Sequence, residues 1–121
     1  VKKDSKAFVE ICLYEVKADK TQEFEELIAQ VAEHHRAFPG VKEARYVKRT
    51  HRQGDFASAK RGEPPIRLSR APKSVTYVLY WEMDSEVTHG EATKSGLERF
   101  YKEFARCLLK PPKIILGELV Q

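Results

Sequence analysis

Trp81, the only tryptophan in the chain, and Tyr77, four residues before it, lie in an apolar run at 75–83. Side chains alternate along an extended strand, so these two share a face. An indole there can stack on a flat aromatic ligand, and a phenol can donate a hydrogen bond to it. The plainer role for both is core packing. His35 lies eleven residues after Phe24, and at about 100° per residue it points within roughly 20° of that ring. It therefore falls in the apolar stripe of a helix, where a buried neutral imidazole can move a proton or simply fill a core or interface position. His89 borders the stripe of a later helix near its N-terminus. From there it reaches a pocket opening at that end, or it faces solvent. Glu10 and Glu82 stand among apolar strand neighbours. A carboxylate facing a dry pocket can abstract a proton, and one at a sheet's open end pairs with a cation such as Arg45. Arg45 is also a candidate to hold an anionic ligand. His35 and His89 are thus the candidate catalytic residues. Trp81, Tyr77, Arg45, Tyr101 and Phe104 are the candidates for binding a substrate.

Several chemistries are not called for. No pair of histidines has a metal-ligand spacing with a carboxylate on the same face, so no metal is expected. No Ser-His-Asp grouping, glycine-rich phosphate loop or Walker motif is present. Cys12 and Cys107 are the only cysteines, and they form no C-x-x-C pair. Each sits in an apolar context, where a free thiol behaves as a small hydrophobe in a reducing compartment. No apolar run is long enough to cross a membrane, and no charged-then-apolar leader is present. The expected location is cytoplasmic.

The chain has 121 residues, 41% hydrophobic and 33% charged, which fits one soluble domain spanning 1–121. The net charge is +4. It all arises in 51–74, where Arg52, Lys60, Arg61, Arg67, Arg70 and Lys73 oppose only Asp55 and Glu63. Such a segment is a solvated loop, a flap over a site, or an anion-binding surface. Its basic residues are not interleaved with aromatics, so nucleic acid is not the expected partner.

The elements that must position these residues follow from periodicity. Residues 7–17 read as a strand that is apolar on both faces. Asp19 opens a helix, with Gln22 completing a capping box. Phe24, Leu27, Ile28, Val31, His35 and Phe38 form its stripe, and Pro39-Gly40 ends it. A more polar strand spans 41–51, followed by the long basic connection 51–74. Residues 75–83 are the clearest strand, rich in β-branched and aromatic residues. Asp84-Ser85 start a helix running to about Lys110, with Leu97, Phe100, Tyr101, Phe104 and Leu108 as its stripe. Pro111-Pro112 stop it, and 113–120 form a last strand. The order β-α-β-β-α-β predicts an α+β, ferredoxin-like fold: an antiparallel four-stranded sheet with two helices on one face. Helices cover one face only, yet the first and third strands are apolar on both. A second copy covering the open face, in a twofold dimer, is the expected partner.

The sequence resembles the antibiotic biosynthesis monooxygenase-like group of dimeric α/β-barrel proteins. The resemblance rests on the opening strand Phe8-Val9-Glu10-Ile11-Cys12-Leu13-Tyr14, the helix end Phe38-Pro39-Gly40-Val41, the step Trp81-Glu82-Met83-Asp84-Ser85, and Pro111-Pro112. It covers nearly all of the chain except 51–74. It implies a homodimer built through the sheet face, and a pocket between sheet and helices. It further implies a cofactor-independent oxygenase, or a related isomerase or cyclase, acting on a hydrophobic aromatic or polyketide-like small molecule. No cofactor is then needed. In such enzymes a Trp near the end of the third strand lines the pocket, sometimes with an Asn and a His. Trp81 matches that Trp, with Met83 as the other alignment. This chain has no Asn, and His89 lies earlier in its helix than the His of many relatives. A non-catalytic ligand-binding or stress-related protein of the same fold is therefore the competing expectation.

Overall fold

The computed structural model describes residues 6–69 and 72–121. Its elements are β1 (Phe8–Lys17), α1 (Thr21–Arg36), β2 (Val41–Lys48), β3 (His51–Arg52), α2 (Phe56–Lys60), β4 (Ile66–Arg67), β5 (Ser74–Met83), α3 (Glu86–Cys107) and β6 (Lys113–Glu118). The main sheet has four strands in the order β2-β5-β1-β6, all antiparallel. This is the ferredoxin-like arrangement. The two longest strands, β1 and β5, lie side by side at its centre.

The alternation in those strands decides the two faces. Glu10 stands opposite Trp81, Cys12 opposite Leu79 and Tyr14 opposite Tyr77, and opposed residues share a face. These six, with Val16, Met83 and Ala44, are buried beneath the helices. Phe24, Leu27, Ile28 and Val31 close the core from α1. The other face carries Val9, Ile11, Leu13, Val78 and Tyr80, each only half-buried, with Val47 and Ile115 exposed. Both helices lie on one side, as the pattern predicts.

Local signals held at some ends and failed at others. The expected capping box from Asp19 does not form. Residues Ala18–Lys20 make a 3-10 turn, and α1 starts at Thr21 without a side-chain cap. Ser85 does cap α3, its hydroxyl accepting from the Thr88 amide at 3.1 Å. That helix stops at Cys107, short of Lys110, because Leu108 turns extended and bridges to Val16. The connection 51–74 is not structureless. β3 and β4 pair as a two-stranded arm around α2, which is capped by Asp55 accepting from the Ser58 amide at 2.7 Å. The arm has no buried residue in any of its three elements. Arg70, one of its basic residues, lies outside the described residues.

Gly40 joins α1 to β2 with φ +94°, a conformation that favours glycine. A Cβ there would sit 2.7 Å from Asp84 Oδ1 and 2.8 Å from Thr88 Oγ1. Those two atoms are themselves bonded at 2.5 Å, the hydroxyl donating. We expect Gly40→Ala to lower the urea midpoint of unfolding, by about 2 kcal/mol in stability. An unchanged midpoint would show that the α1–β2 turn relaxes without strain.

Candidate functional site

α3 packs mainly against α1 and touches the sheet at few points. The gap left between α3 and the inner sheet face is an apolar cavity of about 560 Å³. Its sheet side is formed by Glu10, Cys12, Tyr14, Tyr46, Leu79 and Trp81. Its helix side runs from Thr93 and Gly96 to Phe104 and Leu108, and it extends to Lys110, Pro111, Pro112 and Ile114. Leu97, Tyr101 and Ile114 are half or more exposed and form an apolar rim.

At one end two aromatic rings define the wall. His35 stacks on Trp81 with centroids 4.1 Å apart and planes 13° from parallel. Gly96 closes on the Nε2 edge of the imidazole, where a Cβ would come 2.9 Å from that nitrogen. His35 is buried, and neither ring nitrogen has a hydrogen-bond partner; the Trp81 indole N–H and the Tyr46 hydroxyl are likewise buried and unpartnered. Burial, then the neighbouring His34 and His89, lower the His35 pKa from 6.5 to about 4. At neutral pH it is an uncharged aromatic slab lying on the indole, with its Nε2 edge closed off by Gly96.

Next to that stack lies a carboxylate–imidazole pair. His89 Nε2 and Glu10 Oε1 are 2.6 Å apart, in side chains that are 14% and 9% exposed. A carboxylate only accepts, so the Nε2–H donates. The His89 ring also packs near Trp81 (5.2 Å) and Phe8 (5.3 Å). Glu10 lines the cavity while its Oε1 is held by His89. Burial also holds the other titratable groups of the floor in their neutral forms. The Cys12 thiol is pushed up to about 11, and the Tyr14 and Tyr46 phenols are raised well above their ordinary values.

The sequence-derived candidates thus separate into groups. Trp81, His35, Tyr101 and Phe104 line the cavity, and His89 reaches it through Glu10. Met83, the other alignment, is fully buried and lies outside the lining. Tyr77 shares the Trp81 face but lies outside the cavity. Its hydroxyl donates to Glu25 at 2.5 Å, and its ring packs on Phe24 at 4.8 Å. Arg45 stands opposite Tyr80, so it projects from the outer face, where it pairs with Glu43 at 2.9 Å and with neither Glu10 nor Glu82. His34 is not free on the surface; its Nε2 meets Ser95 Oγ at 2.9 Å. None of the arm's described residues lines the cavity. Among the described residues no three His, Cys, Asp or Glu side chains gather as a metal-holding group, and no helix is long and apolar enough to cross a membrane. The Glu10–His89 pairing was not derivable from spacing. The one signal was an acidic residue flanked by apolar ones in β1.

Solved structures share this architecture over nearly the whole chain. A Nitrosomonas europaea protein provisionally named an antibiotic biosynthesis monooxygenase matches with a TM-score of 0.67 at 17% identity, covering 99% of this chain and 96% of its own. SnoaB of Streptomyces nogalater, a cofactor-independent oxygenase solved as a point mutant, matches with a TM-score of 0.64 at 13% identity, covering 96% and 95%. A second Nitrosomonas europaea protein, of unknown function, matches at 0.68 and 12%, covering 98% and 94%. The chain shares their fold. No family model matches the sequence, and no curated protein does. The resemblance to the antibiotic biosynthesis monooxygenase-like proteins therefore holds in three dimensions, at identities that carry the fold alone.

Two stability predictions follow from the His35 stack. His35 binds a proton below about 6.5 when unfolded but only below about 4 when folded. Stability is complete above pH 6.5, falls as pH drops from 6.5 to 4, and levels off below; the loss from this residue is about 3 kcal/mol. Urea unfolding measured across that range checks it, and in His35→Leu this part of the slope should vanish. Gly96→Ala should force His35 off the indole. A red shift of Trp81 emission with lost stability is the expected result, and an unchanged spectrum would count against this close packing.

Proposed function

We propose that this chain is a small cofactor-independent monooxygenase for a hydrophobic aromatic or polyketide-like substrate bound between sheet and α3. The observation that carries this reading is Glu10: a carboxylate lining a largely apolar cavity, held by His89 and paired across the strands with Trp81. Cofactor-free oxygenation asks a protein to exclude water, remove a proton and position the resulting anion. Glu10 takes a proton from an activated ring carbon. His89 orients it as a positioning residue. Trp81, Tyr101 and Phe104 hold the ring. The substrate anion adds oxygen to form a peroxide. Loss of that carbon's second hydrogen, with cleavage of the O–O bond, leaves a carbonyl on the ring and releases water. The substrate supplies all the electrons. His35 is a wall of the site, not its base, because both of its nitrogens are sealed.

The fold supports a homodimer as the working unit. Val9, Ile11, Leu13, Val78 and Ile115 make an apolar outer face that the helices leave open, of the kind that marks an interaction surface. Ile11→Glu should yield a monomer by light scattering, and a wild-type monomer would overturn this part of the reading.

The test of function pairs Trp81 fluorescence with oxygen uptake in the presence of anthrones and hydroquinones. Saturable quenching with oxygen consumption is expected, and Glu10→Gln should cut the turnover by about 10²- to 10⁴-fold while ligand still binds. Quenching without oxygen uptake would favour the competing reading, a non-catalytic ligand-binding protein; the missing asparagine speaks for it.

A further inference from the structure

The cavity contains two residues of formal charge, and they stand at opposite ends. Glu10 lies beside Trp81 at the inner end. Lys110 lies just beyond Leu108, which bridges to Val16 on the same strand as Glu10. The Leu109 amide meets the Glu15 carbonyl, five residue steps along β1 from Glu10, which is about 17 Å of extended chain. That exceeds the screening length of roughly 8 Å at physiological salt. Lys110 is exposed and enters no ion pair among the described residues. Its position is well fixed: the Leu109 amide donates to the Glu15 carbonyl at 2.8 Å, and Pro111-Pro112 follow directly. Between the charges the lining is apolar and aromatic.

We propose that Lys110 is a specificity residue that selects elongated, flat ligands bearing a carboxylate at the trailing end. An anionic group is repelled from the Glu10 end and attracted to Lys110 at the rim. Water remains available there, so the carboxylate stays largely solvated. The apolar body fills the length of the cavity with its leading ring against Trp81. The arrangement sets orientation as well as preference: the ring end enters and the acid end stays at the mouth. In the proposed oxygenase the attacked carbon then lies at the end of the substrate opposite its acid group. This inference rests on the cavity being the substrate site, but it concerns binding and not turnover.

The test titrates the protein with 4-(1-pyrenyl)butyric acid and with its methyl ester, reading quenching of Trp81 emission by the pyrene. The acid should bind several-fold more tightly than the ester at low salt, and the gap should close at high salt. Lys110→Gln should remove the gap while leaving the ester's affinity and the unfolding midpoint unchanged. Lys110→Glu should reverse it, favouring 4-(1-pyrenyl)butylamine. Equal affinities for acid and ester overturn the role of Lys110 and leave the cavity reading intact, as does a Lys110→Gln variant that keeps the preference. Failure of both probes to bind overturns the two together. A preference for the acid without any oxygen uptake on aromatic substrates supports Lys110 while overturning the oxygenase.

Discussion

The stacking of His35 on Trp81, with Gly96 against its Nε2 edge, sets the spacing of the fold. The three residues come from α1, β5 and α3, so one imidazole ring fixes where the two helices stand over the sheet. A side chain at residue 96 has no room, and a smaller residue at 35 would let α3 settle toward the strands. Because the ring fills that level, α3 rests on α1 and stands off β1 along the rest of its length. The cavity is the space so left. At the N-terminal end of α3, the cap at Ser85 and the Glu10–His89 contact tie the helix down. At its other end the Leu108–Val16 bridge does so. The helix is held at both ends and lifted between them.

Burial also sorts the chemistry of the floor. Cys12, Tyr14, Tyr46 and His35 are all pushed toward their neutral forms, chiefly by lost solvation. A thiol near pKa 11 is a poor nucleophile at neutral pH, and a sealed imidazole has no path to a substrate proton. The orphaned nitrogens of His35 and Trp81 are costly groups in a dry interior, and stacking is what the pair gains in return. What remains for acid–base work is the carboxylate of Glu10. Its neighbour His89 gives it a fixed direction without filling the cavity.

Periodicity made the framework legible. The alternation in β1 and β5 gave each strand two apolar faces, and these are the two strands at the centre of the sheet. The 3.6-residue stripe of α1 put His35 in the core, where it is found. The misses share a cause: they depend on register and on long-range placement, which one sequence does not encode locally. Tyr77 and Trp81 share a face, yet Phe24 and Glu25 of α1 engage Tyr77 and leave it outside the cavity. Arg45 sits one residue from Ala44, and that single step in a period of two sends it to the opposite face. The Glu10–His89 contact joins residues 79 apart and needs both the β1–β5 pairing and the docking of α3. The arm at 51–67 is built from polar two-residue strands and a five-residue helix, too short for any period to register.

β6 is the strand of the main sheet that the chain itself leaves least covered. It is an edge strand paired only with β1, and all of its residues are exposed in the single chain. Ile114 and Leu116 stand opposite Cys12 and Glu10, so they belong to the cavity side, whereas Ile115 stands opposite Ile11 on the outer face. Neither side of this strand is covered by the chain itself. A ligand in the cavity would cover Ile114, and a second copy on the outer face would cover Ile115. Each occupant that binds only the folded strand stabilises it in proportion to the logarithm of one plus its concentration over its Kd. In the proposed dimer, β6 turns one face toward each event.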